Sequence, residues 1–381
     1  MKITNAKIAD EHGKLIEVEI SILEGRIAQV LSDPGRSADG GEIVDLQGAI
    51  LSSGWIDLQI NGAFGCDFTS DPDSIWQVGA RLPESGVTGF LPTIISAGYE
   101  TYQKAIETLK KGPPKGWSGA IPLGWHFEGP FLNLEKKGAH NPDFLHLPDA
   151  AFIKNWSRAN GVWLVTMAPE LDPAGDTTAR LISDGIVLSA GHTAATMAEM
   201  QRAVEEGFTA VTHLFNAMTA LDHRNPGIIG EIFVNDRVYA GLITDGIHVH
   251  PRMIEIAWKL ISSQRMVLVT DAVGAMGFAP GTYEQGGLEI VVTEEAARLK
   301  NGTLAGSVLR MDQALRNMMR FTRSNVEQIL PALGANQARL LKMPDSGEIK
   351  PGYRANLTAV DPSGRVTMTM VDGKILYSTA H

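Results

Sequence analysis

Between residues 55 and 271 the chain carries eight short apolar runs, separated by stretches with helical periodicity. The runs are Trp55–Ile60, Thr88–Ile95, Ile121–Glu128, Val162–Ala168, Ile186–Gly191, Thr209–His213, Val238–Thr244 and Met266–Asp271. Seven of them are almost continuously apolar, the pattern of strands buried on both faces of a parallel sheet. The intervening helices carry their own signals. Thr196 with Glu199 makes a capping box, Met197, Met200, Ala203 and Val204 form an apolar stripe, and Gly207 ends it. Tyr99–Lys111 and Pro251–Ser262 read the same way, and Ser324 with Glu327 is expected to open a late helix. Eight strand–helix units in series predict a (β/α)8 TIM-type barrel. An open doubly wound sheet is the alternative, but the glycine-rich phosphate loop it would want is missing.

The two ends differ from the middle. Residues 1–50 and 350–381 read as short strands joined by turns such as Glu24-Gly25, Asp33-Pro34-Gly35 and Asp372-Gly373. Neither end is long enough to bury a core. Both are expected to pair into one discontinuous β-sandwich domain beside a barrel spanning 51–349. A β-hairpin insert is expected near 282–300.

Charge and composition narrow the functions. A net charge of −10 over 381 residues argues against nucleic acid, which needs a basic face. It leaves room for a small anion, because a few cations in a cleft can outweigh the global sign locally. One cysteine, Cys66, precludes an intrachain disulfide and fits a reducing compartment. Met1–Ile20 is studded with charge, and no run approaches the ~20 apolar residues of a membrane span. The expected location is the cytoplasm, with no membrane partner.

Barrel active sites lie at the C-terminal ends of the strands. The polar residues there are Asp57, Gln59 and Asn61 on strand one, Glu128 on three, His192 on five, His213 on six, Asp245 and His248 beyond seven, and Asp271 on eight. A catalytic zinc takes three protein ligands and leaves a place for water. Glu128, His192 and His213 supply such a set, and Asp271 can take the water's proton and return it to a leaving group. Each residue alone reads more simply as a satisfied polar group or a cap. Their joint placement at equivalent positions favours a metal site. His248-Val249-His250 has chelating spacing, but Pro251 follows it. His248 is therefore read as a ligand contact and His250 as bland. Asp245 reads as a turn residue beside Gly246, Cys66 as a packed thiol, and Trp125 and His126 as packing.

Several motifs then carry a resemblance: Gly54-Trp55-Ile56-Asp57, His126-Phe127-Glu128-Gly129-Pro130-Phe131, Lys137-Gly138-Ala139-His140-Asn141-Pro142, Gly191-His192-Thr193, His213-Leu214-Phe215-Asn216-Ala217-Met218, Asp245-Gly246-Ile247-His248, Thr270-Asp271-Ala272 and Leu304-Ala305-Gly306-Ser307. The chain resembles the N-acetylglucosamine-6-phosphate deacetylases of the amidohydrolase superfamily over nearly its whole length. The resemblance implies one divalent ion on Glu128, His192 and His213. It makes Asp271 the catalytic acid–base and sets His140 beside the acetyl carbonyl. It implies substrate contacts from Ala139, Asn216, Ala217, Arg224, His248, Leu304, Ala305 and Gly306, with Arg224 and His248 on the phosphate. It also implies a homodimer or larger homo-oligomer, because the family completes its site across a subunit interface. Many superfamily members bind a second metal through His-x-His at the end of strand one. Here those places hold Gln59 and Asn61, poor ligands for a zinc-like ion. They read as vestigial second-metal positions of a single-ion branch.

The expected activity is removal of the acetyl group from N-acetylglucosamine-6-phosphate, giving acetate and the amino sugar phosphate in amino-sugar catabolism. Zinc is the first choice of ion, and iron, cobalt or manganese suit the same donors. Two other readings stay open: another N-acyl substrate, such as the galactosamine isomer, and a non-catalytic scaffold. The scaffold is disfavoured because all three ligands and the base are present.

Overall fold

A computed structural model describes residues 1–32, 42–285, 288–293, 296–300, 302, 304 and 306–379. The Asp33-Pro34-Gly35 turn lies outside the described residues. The eight apolar runs form eight parallel strands: Trp55–Ile60, Val87–Ile94, Trp125–Glu128, Val162–Met167, Val187–Ala190, Ala210–Val211, Tyr239–Ile243 and Met266–Val269. Each pairs with its sequence neighbour. The ring closes between the last strand and the first. Asp271 N–H donates to the Gln59 carbonyl at 2.8 Å, Asn61 N–H donates to the Ala272 carbonyl at 2.7 Å, and Ile60 bridges Ala272 in parallel. The (β/α)8 barrel expected from the periodicity is the fold. All residues of the first two strands are buried, which explains why they read as continuous apolar runs rather than alternating ones.

The helices follow their local signals with one shift. Met197–Glu206 starts at the Thr196/Glu199 capping box and stops at Gly207, whose φ of 120° suits glycine. Tyr99–Lys111 has the expected bounds, and the helix from Pro251 breaks at Ser262, its expected end, where φ is 65°, before a last turn to Arg265. The late helix opens one residue beyond expectation: Val326–Ile329 is capped by Asn325 with Gln328. Ser324 does not cap it because both acceptor sites of its hydroxyl are taken, by the Trp258 indole N–H and by the Thr322 hydroxyl, each at 2.9 Å.

The two chain ends meet as expected in a β-sandwich. Its strands run in the hydrogen-bonded order Lys374–Ser378, Val366–Val371, Leu357–Val360, Ile50–Ser53, Lys2–Ala9, Leu15–Leu23, Arg26–Leu31. Lys2–Ala9 is bulged. Its first half pairs with Ile43–Asp45 and Lys7 pairs with Ile50. Ile3, Val18, Ile20, Ile27 and Leu51 from one end share a buried core with Leu357, Met368 and Met370 from the other. The insert is a three-stranded meander rather than a hairpin, Gly281–Gln285, Leu288–Val292 and Ala297–Leu299, with Val273, Ile290, Val292 and Ala297 as its core. Among the described residues no helix is long and apolar enough to cross a membrane.

Candidate active site

At the C-terminal mouth of the barrel the strands stop abruptly, and the residues just past them carry the polar side chains. His192, His213 and Asp271 all have left-handed backbone, at φ 49°, 31° and 48°. Non-glycine residues pay for that conformation, and it clusters where a fold must aim a side chain. Here it ends each strand and turns the residue inward, which is why the sixth strand is shorter than its apolar run. Glu128 ends the third strand in ordinary extended backbone.

Three donor atoms converge. The Glu128 Oε1 lies 3.2 Å from the His192 Nε2 and 3.0 Å from the His213 Nε2, and the two Nε2 atoms are 3.1 Å apart. All three residues are buried. The Nδ1 of His192 donates to the Lys136 carbonyl at 2.8 Å, which fixes the ring with Nε2 facing the centre. Two imidazole nitrogens and a carboxylate oxygen pointed at one another can hold a cation between them. Glu, His and His donors suit a zinc-like ion. A wider trio, Glu128, His140 and His192, has its donor atoms within 4.8 Å of one another. The tighter set is the better chelate, because His140 is engaged elsewhere. Burial pushes the Glu128 carboxyl up, but hydrogen bonds and charge from His192 and His213 overcome it and hold the group well below its usual range. Burial works against a charge on His213 too, and Glu128 more than offsets it.

His140 presents one defined face. The Ser96 backbone N–H donates to its Nδ1 at 3.2 Å, with the Ser96 hydroxyl 2.8 Å away. An Nδ1 that accepts from an amide keeps its lone pair, so the proton sits on Nε2, which lies 3.8 Å from Glu128 Oε2. Burial first, then the neighbouring His192 charge, push its pKa down to about 3. A neutral ring with Nε2–H exposed to the cleft is a hydrogen-bond donor. Asp271 is the opposite case. Burial and the Glu128 charge raise its carboxyl to about 6, opposed by His213, His248 and a 2.7 Å hydrogen bond from the Asn61 amide.

Gln59 and Asn61 are not idle. Gln59 donates to Glu128 Oε1 at 2.9 Å, and Asn61 donates to Asp271. The two amides steer the two carboxylates.

A cleft of about 680 Å³ covers this centre. Glu128, His192, His213, His140, Asp271 and Asn61 line it, together with Ala139, Asn216, Ala217, His248, Leu304 and Gly306. Ala305 lies outside the described residues. Arg224 is exposed and does not line this cleft. The arginine that does is Arg298, on the last strand of the insert, which the sequence reading passed over. Asp245 proves to be more than a turn residue. Its Oδ1 accepts from the Ile247 and His248 amides at 2.8 and 2.9 Å, and its Oδ2 binds His248 Nδ1 at 2.5 Å. Burial raises the Asp245 carboxyl, but the hydrogen bond and charge of His248 bring it below its usual value. His250 caps the following helix by accepting from Arg252 N–H. Cys66 is buried, and burial pushes its thiol up. His126 is buried and bonds the Leu58 carbonyl and Thr166 inside the barrel.

Residues 50–376 match the amidohydrolase family. The chain belongs to it. Among its amidohydrolase relatives, the N-acetylglucosamine-6-phosphate deacetylase of Lysinibacillus sphaericus is 33% identical over 99% of this chain and 98% of its own length. The human protein of the same name is 35% identical over 99% of this chain and 95% of its own. The solved structure of the Thermotoga maritima N-acetylglucosamine-6-phosphate deacetylase superposes with a TM-score of 0.88 at 30% identity, each chain fully covered. A mutant of the Mycobacterium smegmatis deacetylase, solved in complex with N-acetyl-D-glucosamine-6-phosphate, gives 0.89 at 29% identity with 99% of both chains covered.

Proposed function

We propose that this amidohydrolase removes the acetyl group of N-acetylglucosamine-6-phosphate, releasing acetate and glucosamine-6-phosphate. The observation that carries the proposal is the convergence of Glu128, His192 and His213 on one point, with an ionisable carboxylate and a neutral histidine donor facing the same cleft. The full-length likeness to deacetylases of that name supports the substrate.

A divalent ion held by Glu128, His192 and His213, zinc by preference, supplies Lewis acidity toward water and the acetyl carbonyl. Asp271 accepts the proton of the attacking water. The same carboxylic acid then returns that proton to the departing amine nitrogen, so the proton count closes. His140 donates Nε2–H to the carbonyl oxygen as negative charge develops there. Its neutrality keeps it from adding a second positive charge beside the ion. Gln59 and Asn61 hold Glu128 and Asp271 in register, which gives the former second-metal positions a use in a one-ion site. His248, braced by Asp245, faces the sugar phosphate. Arg224, exposed outside its own cleft, contacts that phosphate from a neighbouring copy in a homodimer. Ala139, Asn216, Ala217, Leu304 and Gly306 line the sugar.

The test is acetate release from N-acetylglucosamine-6-phosphate, its galacto isomer and unphosphorylated N-acetylglucosamine, with and without chelator. Chelator-sensitive hydrolysis that favours the phosphorylated gluco sugar is expected. Equal efficiency on the phosphorylated and plain sugars would remove the phosphate assignment, and activity indifferent to chelator would remove the metal.

A further inference from the structure

The fourth barrel strand, Val162–Met167, contributes nothing to the site described above, yet the turn after it holds a carboxylate on which two of the site's loops converge. Glu170 Oε1 accepts from the Ala194 backbone N–H at 2.7 Å and from the Asn133 side-chain amide at 3.0 Å. Its Oε2 accepts from the Thr193 hydroxyl at 2.5 Å. Thr193 and Ala194 directly follow His192. Asn133 begins the segment that leads to His140. The two loops touch again at the ligand itself, where Asn133 N–H donates to the His192 carbonyl at 2.9 Å and His192 Nδ1 bonds the Lys136 carbonyl at 2.8 Å.

We infer that Glu170 is a positioning residue that clamps the loop after strand three to the loop after strand five, and thereby fixes the imidazole of His192 for metal binding. His192 has left-handed backbone, a conformation that persists only where the surroundings over-determine it. Three hydrogen bonds to one carboxylate, donated by the two residues after His192 and by the loop whose carbonyl accepts from its Nδ1, do that. The short Pro169–Leu171 turn holds Glu170 rigidly, because Ala168 N–H is bonded to the Phe131 carbonyl at 2.8 Å and the Pro169 carbonyl accepts from Arg202. The role concerns orientation rather than charge. A glutamine keeps both hydrogen bonds to its oxygen, and its amide can donate to the Thr193 hydroxyl, whose oxygen also accepts from the Ala195 N–H at 2.9 Å.

The inference rests on the metal reading of Glu128, His192 and His213, so the experiment reads metal binding directly. Zinc affinity of the apo protein is measured by competition with a chromophoric chelator for wild type, Glu170→Ala, Glu170→Asp and Glu170→Gln. The melting temperature of each apo protein is recorded alongside. Loss of a group bonded directly to a ligating histidine weakens metal binding by about 10- to 100-fold; Glu170 acts one step further out, so Glu170→Ala should weaken zinc binding by about tenfold. Glu170→Asp, too short to reach both loops, should lose several-fold, and Glu170→Gln should stay close to wild type. Apo melting temperatures should differ little. Wild-type zinc affinity in Glu170→Ala or Glu170→Asp, or a Glu170→Gln protein as weak as Glu170→Ala, would overturn the inference. A wild-type protein that takes up no zinc would instead overturn the metal reading beneath it.

Discussion

Asp245→Asn isolates one electrostatic contribution to substrate recognition. The carboxylate and His248 are both nearly buried, with side chains 7% exposed, and Oδ2 lies 2.5 Å from Nδ1. The asparagine keeps Oδ1 on the Ile247 and His248 amides, so the turn should survive. Its Nδ2 replaces Oδ2 and turns Nδ1 into an acceptor. The ring then carries its proton on Nε2 with an amide behind it in place of a carboxylate, so the cleft keeps a donor but loses the carboxylate's polarisation of it. A hydrogen bond to a charged group such as phosphate contributes about 1.5–3 kcal/mol, and weakening one within that range should cost about 1–1.5 kcal/mol. At about 1.4 kcal/mol per factor of ten, KM for the phosphorylated sugar should rise about tenfold. Turnover at saturation should change little, because the group lies away from the reacting carbonyl. The assay is steady-state acetate release at fixed ionic strength, with plain N-acetylglucosamine as the control that lacks the phosphate. An unchanged KM for the phosphorylated sugar, or an equal loss on both sugars, would refute the assignment of His248 to the phosphate.

Asp271→Asn should lower kcat by about 10⁴-fold, because one group serves as both base and acid, while zinc binding measured by chelator competition persists. Near wild-type turnover would reassign the base. The pH profile should be sensitive to Asn61. Asp271 works as a base only when ionised, its carboxyl is raised to about 6 in the ion-free site, and a bound cation lowers it. Activity is therefore lost as pH falls through that carboxyl's value, and Asn61→Ala, which removes a hydrogen bond to the charged form, should move the acid limb of kcat/KM upward. A limb that moves down or stays put would contradict the contact. Gly191→Ala should destabilise the fold by about 1–3 kcal/mol, since the new Cβ would lie 2.7 Å from Thr166 Cγ2 and 2.8 Å from Thr212 Cβ, read as a lower melting temperature. Chelator should lower the wild-type melting temperature, because an ion at 100 times its Kd stabilises the folded state by about 2.7 kcal/mol.

The sequence by itself determined the barrel and the residues that converge at its mouth. Both rest on information local to each run: buried parallel strands are apolar throughout, and in four of the runs the residue that matters is the last one or the one just beyond it. Glu128, His192, His213 and Asp271 could be found in that way without knowing which strand lay beside which. The capping box at Thr196 was equally local. Ser324 misled because its hydroxyl is taken by Trp258, 66 residues earlier.

Only the tertiary structure decided what holds those residues still. Gln59 reaches Glu128 across 69 residues and Asn61 reaches Asp271 across 210, so two amides that looked vestigial became the steering groups of the carboxylates. The tautomer of His140 depends on the Ser96 amide, 44 residues away. Glu170 carries no local signal beyond a proline turn, and its partners belong to two other loops. Arg224 is local in sequence but exposed outside its own cleft, where Arg298 from the insert stands instead. Periodicity records which side of an element faces the core. Hydrogen bonds between strand ends depend on which ends the closed barrel brings together, and that information is absent from any single stretch of chain.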